Sequence, residues 1–127
     1  MKNKFVHIEL NTDNLKKAKG FYKKLFSWKV KDQKMGPGMV YSMLDTGSKE
    51  TGAGMQNKPM PEAPTAWLPY VEVADVKETT QKAAKLGARV VVPYAPIPGM
   101  GSFGVFVDPT GAALGVWSKK AAKAPRR

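Results

Sequence analysis

The stretch Phe5-Val-His-Ile-Glu-Leu10 alternates between two kinds of side chain, and it decides how the rest of the chain is interpreted. Successive side chains of a strand point to opposite faces, so this stretch predicts a strand with one apolar face and one face that carries His7 and Glu9. His7 is the only histidine in the sequence. We therefore expect this strand to contribute to both the core and a functional site.

A second copy of the pattern, Leu68-Pro-Tyr-Val-Glu-Val73, indicates an internal repeat. When Glu9 is aligned with Glu72, His7 falls opposite Tyr70, and apolar residues fall opposite apolar residues. The chain is therefore interpreted as two versions of one unit.

The same order of elements follows each copy. Amphipathic helices are predicted over residues 15–26, capped by Asp13 or Asn14, and over residues 76–86, capped by Asp75. Residues 93–101 hold three prolines and two glycines and are predicted to form a long loop, which could be a lid or a surface crossing. Further strands are predicted at residues 27–32, 39–44, 50–56, 88–92, 102–108 and 112–117.

These elements predict an α+β fold built from two β-α-β-β-β modules. Module 1 covers about residues 4–57, module 2 covers about residues 66–118, and a frayed basic tail occupies 119–127. A chain of 127 residues is most simply a single domain. With one helix per module, only one face of each sheet is covered by helix, so the other faces must enclose something or pack on each other.

Composition limits the classes of function. The sequence has no cysteine, which excludes disulfides, thiolate metal sites and cysteine nucleophiles. No apolar run approaches the roughly 20 residues that cross a bilayer, and the first residues lack a secretory h-region, so we expect no secretory leader, no membrane partner and a cytoplasmic location. The formal net charge is +11, but the lysines are spread along the chain without interleaved aromatics, which favours a solvated surface over a nucleic-acid interface.

Two motifs support a family resemblance. Phe21-Tyr-Lys-Lys-Leu-Phe-Ser-Trp-Lys29 is similar to a helix-to-strand passage, and Asp108-Pro-Thr-Gly-Ala112, ending at Gly115-Val-Trp117, is similar to a turn before a last strand. With the repeat, they resemble the vicinal oxygen chelate superfamily, which includes glyoxalase I, extradiol dioxygenases and the bleomycin and fosfomycin resistance proteins. The resemblance covers about residues 4–118. It implies a half-open barrel with one helix per module on the outer face, a ligand and often a metal inside, and a homodimer.

The resemblance also implies where a metal would bind, because catalytic members hold a divalent ion with three or four His and Glu side chains. His7 stands where the first-strand histidine ligand often stands, and its counterpart in the second module is Tyr70. The last-strand glutamate position holds Gly115, and the matching strand of the first module offers Gly52 or Gly54. The standard metal site is therefore expected to be incomplete, and no cofactor is expected, because one imidazole does not hold a catalytic metal. The alternative is a non-standard divalent metal site that uses the pair His7 and Glu9.

The candidate ligand-binding residues share the polar face or lie on strands that line ligands in the family. His7 is also the candidate catalytic residue, as a general base, although it could instead be a ligand contact, a structural histidine or a relic of a metal site. Trp28 and Phe103 are predicted to fill the core. The predicted ligand-binding set is His7, Glu9, Tyr41, Trp67, Tyr70, Glu72 and Trp117.

The first functional hypothesis is a protein that binds a small neutral or anionic ligand inside the barrel, with the metal site incomplete. Whether it is an enzyme stays open. The alternative is a metal-dependent lyase, isomerase or dioxygenase, similar to glyoxalase I or an extradiol dioxygenase, with non-standard ligands. The second alternative is a basic nucleic-acid-associated protein, because the chain carries a charge of +11.

Overall fold

The computed structural model describes residues 2–120, and the part of the predicted tail beyond residue 120 lies outside the described residues. The predicted β-α-β-β-β order occurs twice. No helix within residues 2–120 is long and apolar enough to span a membrane. The elements are β1 (Phe5–Thr12), α1 (Leu15–Phe26), β2 (Lys29–Gly36), β3 (Met39–Asp45), β4 (Gly52–Asn57), β5 (Ala66–Glu72), α2 (Val76–Lys85), β6 (Arg89–Ile97), β7 (Gly101–Val107) and β8 (Ala113–Ser118).

The chain divides into two compact units. We call residues 7–68 the first unit, and the second unit combines the residues up to Val6 with the chain from Pro69 onward. In the first unit the strand order is β2-β3-β4-β1, in which β1 and β4 are parallel and the other pairs are antiparallel. Its buried core is formed by Leu10, Leu15, Leu44 and Met55.

Helix α1 begins as predicted at Leu15, and Asn14 is the cap: its side chain accepts a hydrogen bond from the backbone N–H of Lys17 at 3.0 Å. The helix packs on the sheet through Leu15, Ala18 and Tyr22. Three apolar side chains of the helix remain largely exposed: Phe21 at 59%, Leu25 at 55% and Phe26 at 52%.

The second unit repeats the arrangement, with strand order β5-β8-β7-β6 and a parallel β5/β8 pair. Asp75 caps α2 by accepting from the N–H of Glu78 at 2.9 Å, as predicted, and Gly87 follows the helix with φ 103°. The buried polar residue of α2 is Thr80. Thr80 faces inward because its hydroxyl donates to the Pro93 carbonyl at 2.8 Å.

Two strands extend further than predicted. Strand β2 is predicted to end near residue 32 but continues to Gly36, so only residues 37–38 form the turn before β3. Strand β6 continues to Ile97 and pairs with β7, so most of the predicted loop over residues 93–101 is strand and only residues 98–100 form a turn. The two prolines within β6 are tolerated because this strand ends the sheet order and its register shifts locally. Residues 93–97 therefore belong to the sheet, and whether the short turn that follows them acts as a lid stays a prediction.

One glycine in each unit lies directly beneath a tyrosine ring. A Cβ added at Gly54 on β4 would overlap the ring and hydroxyl of Tyr41, and a Cβ added at Gly115 on β8 would overlap the ring of Tyr70. Each tyrosine therefore lies across its neighbouring strand, and no other residue type fits beneath it without displacing the ring. Gly20 in α1 differs, since nothing lies within 4 Å of the position its Cβ would take.

This contrast predicts opposite effects of one substitution. We expect Gly54→Ala to destabilise the fold by about 1–3 kcal/mol, because the methyl group forces the Tyr41 ring to move. Gly20→Ala should stabilise it by up to about 1 kcal/mol, because alanine is the better helix former and has room there. Urea unfolding of both variants measures the difference. Equal stability of Gly54→Ala and the wild type would contradict the close packing of Tyr41.

Candidate functional site

The polar face of β1 forms a hydrogen-bonded chain with a tyrosine from β3. His7 Nε2 lies 2.7 Å from the Tyr41 hydroxyl oxygen, and that hydroxyl donates to Glu9 Oε1 at 3.0 Å. The chain lies on the sheet face opposite the one that carries Leu10 and packs against α1, because side chains alternate along β1. We call His7, Tyr41 and Glu9 the polar triad.

The position of Gly54 explains how Tyr41 reaches the other two residues. Strand β4 lies between β3 and β1, and Gly54 is in register with Glu9 on one side and Met43 on the other. With no side chain at position 54, the Tyr41 ring crosses β4 and its hydroxyl arrives at β1. The triad therefore depends on a fourth residue that contributes no functional group.

Two amides extend the network, and sequence analysis missed both. Asn11 donates to Glu9 Oε2 at 3.0 Å, and Gln56 donates to the Asn11 side-chain oxygen at 2.9 Å. Asn11 could have been found, because it lies two residues beyond Glu9 and so shares its face of β1. Gln56 depends on the β1/β4 register, in which it is opposite Asn11, and the sequence does not show that register.

Glu9 is buried, at 7% exposed, yet both of its carboxylate oxygens accept hydrogen bonds. This matters because a buried carboxylate is costly unless its oxygens are hydrogen-bonded. A charged group is thus held in a fixed orientation on this face of the sheet.

The donors and acceptors assign the proton on His7. An ionised carboxylate only accepts hydrogen bonds, so the Tyr41 proton points to Glu9 and the phenol oxygen must accept from His7. His7 therefore carries its proton on Nε2. Burial lowers the pKa of His7 below its ordinary value of 6.5, and the charge of Glu9 opposes this shift without cancelling it. The imidazole is consequently neutral at pH 7.

In the second unit, Tyr70 occupies the position equivalent to His7 but is surrounded differently. Tyr70 is buried, its ring lies over Gly115, and it is edge-on to Phe103, with ring centroids 6.2 Å apart. Trp117 is in register with both Glu72 and Phe103. Glu72 lies 3.7 Å from the ammonium group of Lys119. Phe103, predicted as a core residue, therefore shares its surroundings with the predicted ligand-binding residues Tyr70 and Trp117.

Trp67, the remaining member of the predicted ligand-binding set, lies in an aromatic cluster of the first unit and not in the polar triad. It packs edge-on against Tyr22 and Trp28, and its indole N–H donates to the Tyr22 hydroxyl at 3.3 Å. Alternation along β5 explains this placement, because Trp67 points to the face opposite Tyr70 and Glu72. Trp28 belongs to the same aromatic cluster, in agreement with its predicted role in packing.

The residues at the expected metal positions do not fit a metal. Among residues 2–120, no group of three or more His, Cys, Asp or Glu side chains is arranged to hold an ion. Gly52 is in register with His7, and Gly115 is in register with Tyr70, so Gly52 is the first-unit equivalent of Gly115. Neither glycine supplies a donor, and protein sites for divalent ions need about three.

Comparisons with known proteins agree with this architecture. A family model described as "Glyoxalase/Bleomycin resistance protein/Dioxygenase superfamily" matches residues 4–116. A Mycobacterium tuberculosis protein named "Putative glyoxylase CFP32" is 35% identical over 113 residues, which cover 87% of this chain and 43% of that protein. The chain therefore spans less than half the length of this relative.

Solved structures show the same fold. A hypothetical protein from Bacillus halodurans has a TM-score of 0.69 with 16% identity and covers 98% of this chain and 100% of its own. Methylmalonyl-CoA epimerase from Streptomyces coelicolor, in complex with 2-nitronate-propionyl-CoA, has a TM-score of 0.65 with 16% identity and the same coverage. The predicted α+β fold of two glyoxalase-like modules is confirmed.

The lowered pKa of His7 predicts a pH dependence of stability. Below pH 6.5 the unfolded chain binds a proton that the folded chain does not, so the free energy of unfolding falls as the pH decreases from about 6.5 towards the folded-state pKa. His7→Gln keeps an amide donor near Tyr41 and removes the titration. Because His7 is the only histidine, the difference between the two urea-unfolding curves from pH 7.5 to 5 reports this one group. Parallel pH profiles would contradict the assignment.

Proposed function

The chain belongs to the glyoxalase/bleomycin resistance protein/dioxygenase superfamily, and we propose that it binds a small organic molecule at the polar triad without a divalent metal. The observation that carries this proposal is the buried carboxylate of Glu9, whose two oxygens accept from Tyr41 and Asn11. A core that served stability alone would be as stable or more stable with apolar residues in these places. A hydrogen-bonded polar group that is held in a fixed orientation on the sheet face away from the helix is instead typical of a ligand-binding site.

The charges of the triad narrow the class of ligand. Glu9 is negative, His7 is neutral at pH 7, and Tyr41 is uncharged, so the triad carries about one negative charge. An anionic group placed beside Glu9 would be repelled at low dielectric constant. The part of the ligand that meets the triad is therefore neutral, and any anionic group on the ligand lies farther away, where the chain's net charge of +11 is favourable.

The named relatives support a small-molecule ligand. One is named a glyoxylase, and one fold neighbour is an epimerase in complex with an acyl-CoA analogue. Aromatic side chains next to polar groups, such as Tyr70, Phe103 and Trp117 in the second unit, are typical of sites for such molecules. A homodimer and a cytoplasmic location remain predictions from the resemblance and the composition.

The charge assignment predicts how binding responds to Glu9. Benzamide and benzoate have nearly the same shape and differ in charge, and we expect the wild type to prefer benzamide. Glu9→Gln removes the negative charge and should narrow or reverse this preference by about tenfold, equivalent to ~1.4 kcal/mol. Shifts of backbone amide resonances in NMR titrations measure both affinities.

Glu50→Gln is the matched control, because Glu50 is an exposed glutamate in the same unit and its replacement changes the net charge equally. It should leave the benzamide preference unchanged. Equal responses of Glu9→Gln and Glu50→Gln would show that overall charge, and not the triad, selects the probe.

The alternative is a metal-dependent lyase, isomerase or dioxygenase, which the name of the glyoxylase relative favours. Native mass spectrometry of freshly purified protein separates the two functions. We expect a metal-free protein, with or without an organic adduct. A stoichiometric metal that is removed by chelator and absent from His7→Ala would make the metal enzyme the better account.

The nucleic-acid alternative depends on the net charge of +11. It predicts binding of duplex or single strands that weakens steeply as salt increases. Fluorescence polarisation with labelled oligonucleotides tests it, and we expect no detectable binding at low salt, which would remove this alternative.

A further inference from the structure

The hydroxyl of Tyr41 lies between the two side chains that could otherwise share a cation. Its oxygen is 2.7 Å from His7 Nε2 and 3.0 Å from Glu9 Oε1. We propose that this hydroxyl occupies the position at which a divalent cation would bridge His7 and Glu9, so that a hydrogen-bonded tyrosine replaces a metal. The inference rests on the proposed function, because it explains why the triad needs no cation. It concerns metal binding, which is measured separately from ligand binding.

The first argument is steric. The Tyr41 ring reaches the triad only because Gly54 has no side chain, and a Cβ at that position would overlap both the ring and the hydroxyl. Position 54 is in register with Glu9 on the adjacent strand. A donor side chain here would itself point to the space between His7 and Glu9. The Tyr41 ring over Gly54 therefore fills the location at which a side chain at position 54 could otherwise supply a third metal ligand.

The second argument is the direction of the hydrogen bonds. A metal-bound imidazole nitrogen must present its lone pair, whereas Nε2 of His7 carries a proton and donates it to Tyr41. The chain from His7 through Tyr41 to Glu9 is consistent in its donors and acceptors only with this proton in place. A metal could bind Nε2 only if this proton moved to Nδ1 and the hydrogen bond to Tyr41 were lost.

The third argument is that the arrangement is fixed at both ends. The second oxygen of Glu9 accepts from Asn11, which in turn accepts from Gln56. Glu9 is nearly inaccessible to solvent, so it cannot turn outward to exchange Tyr41 for another partner without losing these bonds. A cation would therefore have to displace the Tyr41 hydroxyl, which already donates a hydrogen bond to Glu9, because no empty space is left between the side chains.

The test reverses the replacement. Tyr41→Ala removes the ring that blocks position 54, and Gly54→Asp then adds a carboxylate that points to His7 and Glu9. We expect the double variant Tyr41→Ala/Gly54→Asp to bind one Co²⁺ at least about tenfold more tightly than the wild type, with the visible absorption of a low-coordinate site. Adding His7→Ala should abolish this gain. Circular dichroism and thermal unfolding verify that each variant is folded.

Two results would overturn the proposal. A folded double variant that binds Co²⁺ no more tightly than the wild type would show that the space is not a cation position. The second result requires only the wild type and a folded His7→Ala variant. If the wild type binds one equivalent of Co²⁺ and His7→Ala does not, the Tyr41 hydroxyl does not exclude a metal. The first result leaves the proposed function standing, whereas the second also removes its metal-free part. In both cases the benzamide and benzoate titrations report ligand binding separately, so failure of the proposal and failure of ligand binding are distinguished.

Discussion

The buried carboxylate of Glu9 sets the condition that the surrounding residues satisfy. A charge that is removed from water needs hydrogen-bond donors within reach, and this one receives them from Tyr41 and Asn11. The donor from Tyr41 is available only because β4 has a glycine beneath the ring. The protonation of His7 follows from the same bond, because the phenol oxygen that gives its proton to Glu9 must accept one from the imidazole. Four strand positions are thus determined by one charged group.

Each unit contains a tyrosine ring that packs over a glycine of a neighbouring strand, but the two rings meet different kinds of side chain. In the first unit a tyrosine from β3 crosses a glycine on β4 and meets polar groups on β1. In the second unit the tyrosine is on β5, crosses a glycine on β8 and meets the ring of Phe103. A ring above a glycine thus occurs in each unit, but at positions that are not equivalent in the repeat, because Gly52 and not Gly54 corresponds to Gly115. A pattern that looks symmetric in sequence yields two chemically distinct surfaces.

The sequence predicted the features that depend on local pattern. Alternation in β1 indicated the face of His7 and Glu9, and Asp75 and Gly87 marked the ends of α2. What it could not predict depends on pairing between strands. The sequence pattern groups Trp67 with the ligand-binding residues, although its side chain points to the other face of β5. It also predicts a loop over residues 93–97, because prolines rarely occur within strands. The role of Gly54 could not be predicted from the sequence, because it depends on the strand order, in which β4 lies between Tyr41 on β3 and Glu9 on β1.

Strand β6 has a consequence for the behaviour of the protein in concentrated solution. It is the last strand in the order of its sheet, and outermost strands offer unpaired backbone groups to other molecules. Pro93 and Pro96 have no N–H to offer, and the shifts in register twist the strand away from a flat template. The prolines that made this segment look like a loop in the sequence therefore also hinder the intermolecular strand pairing that leads to amyloid-like assembly.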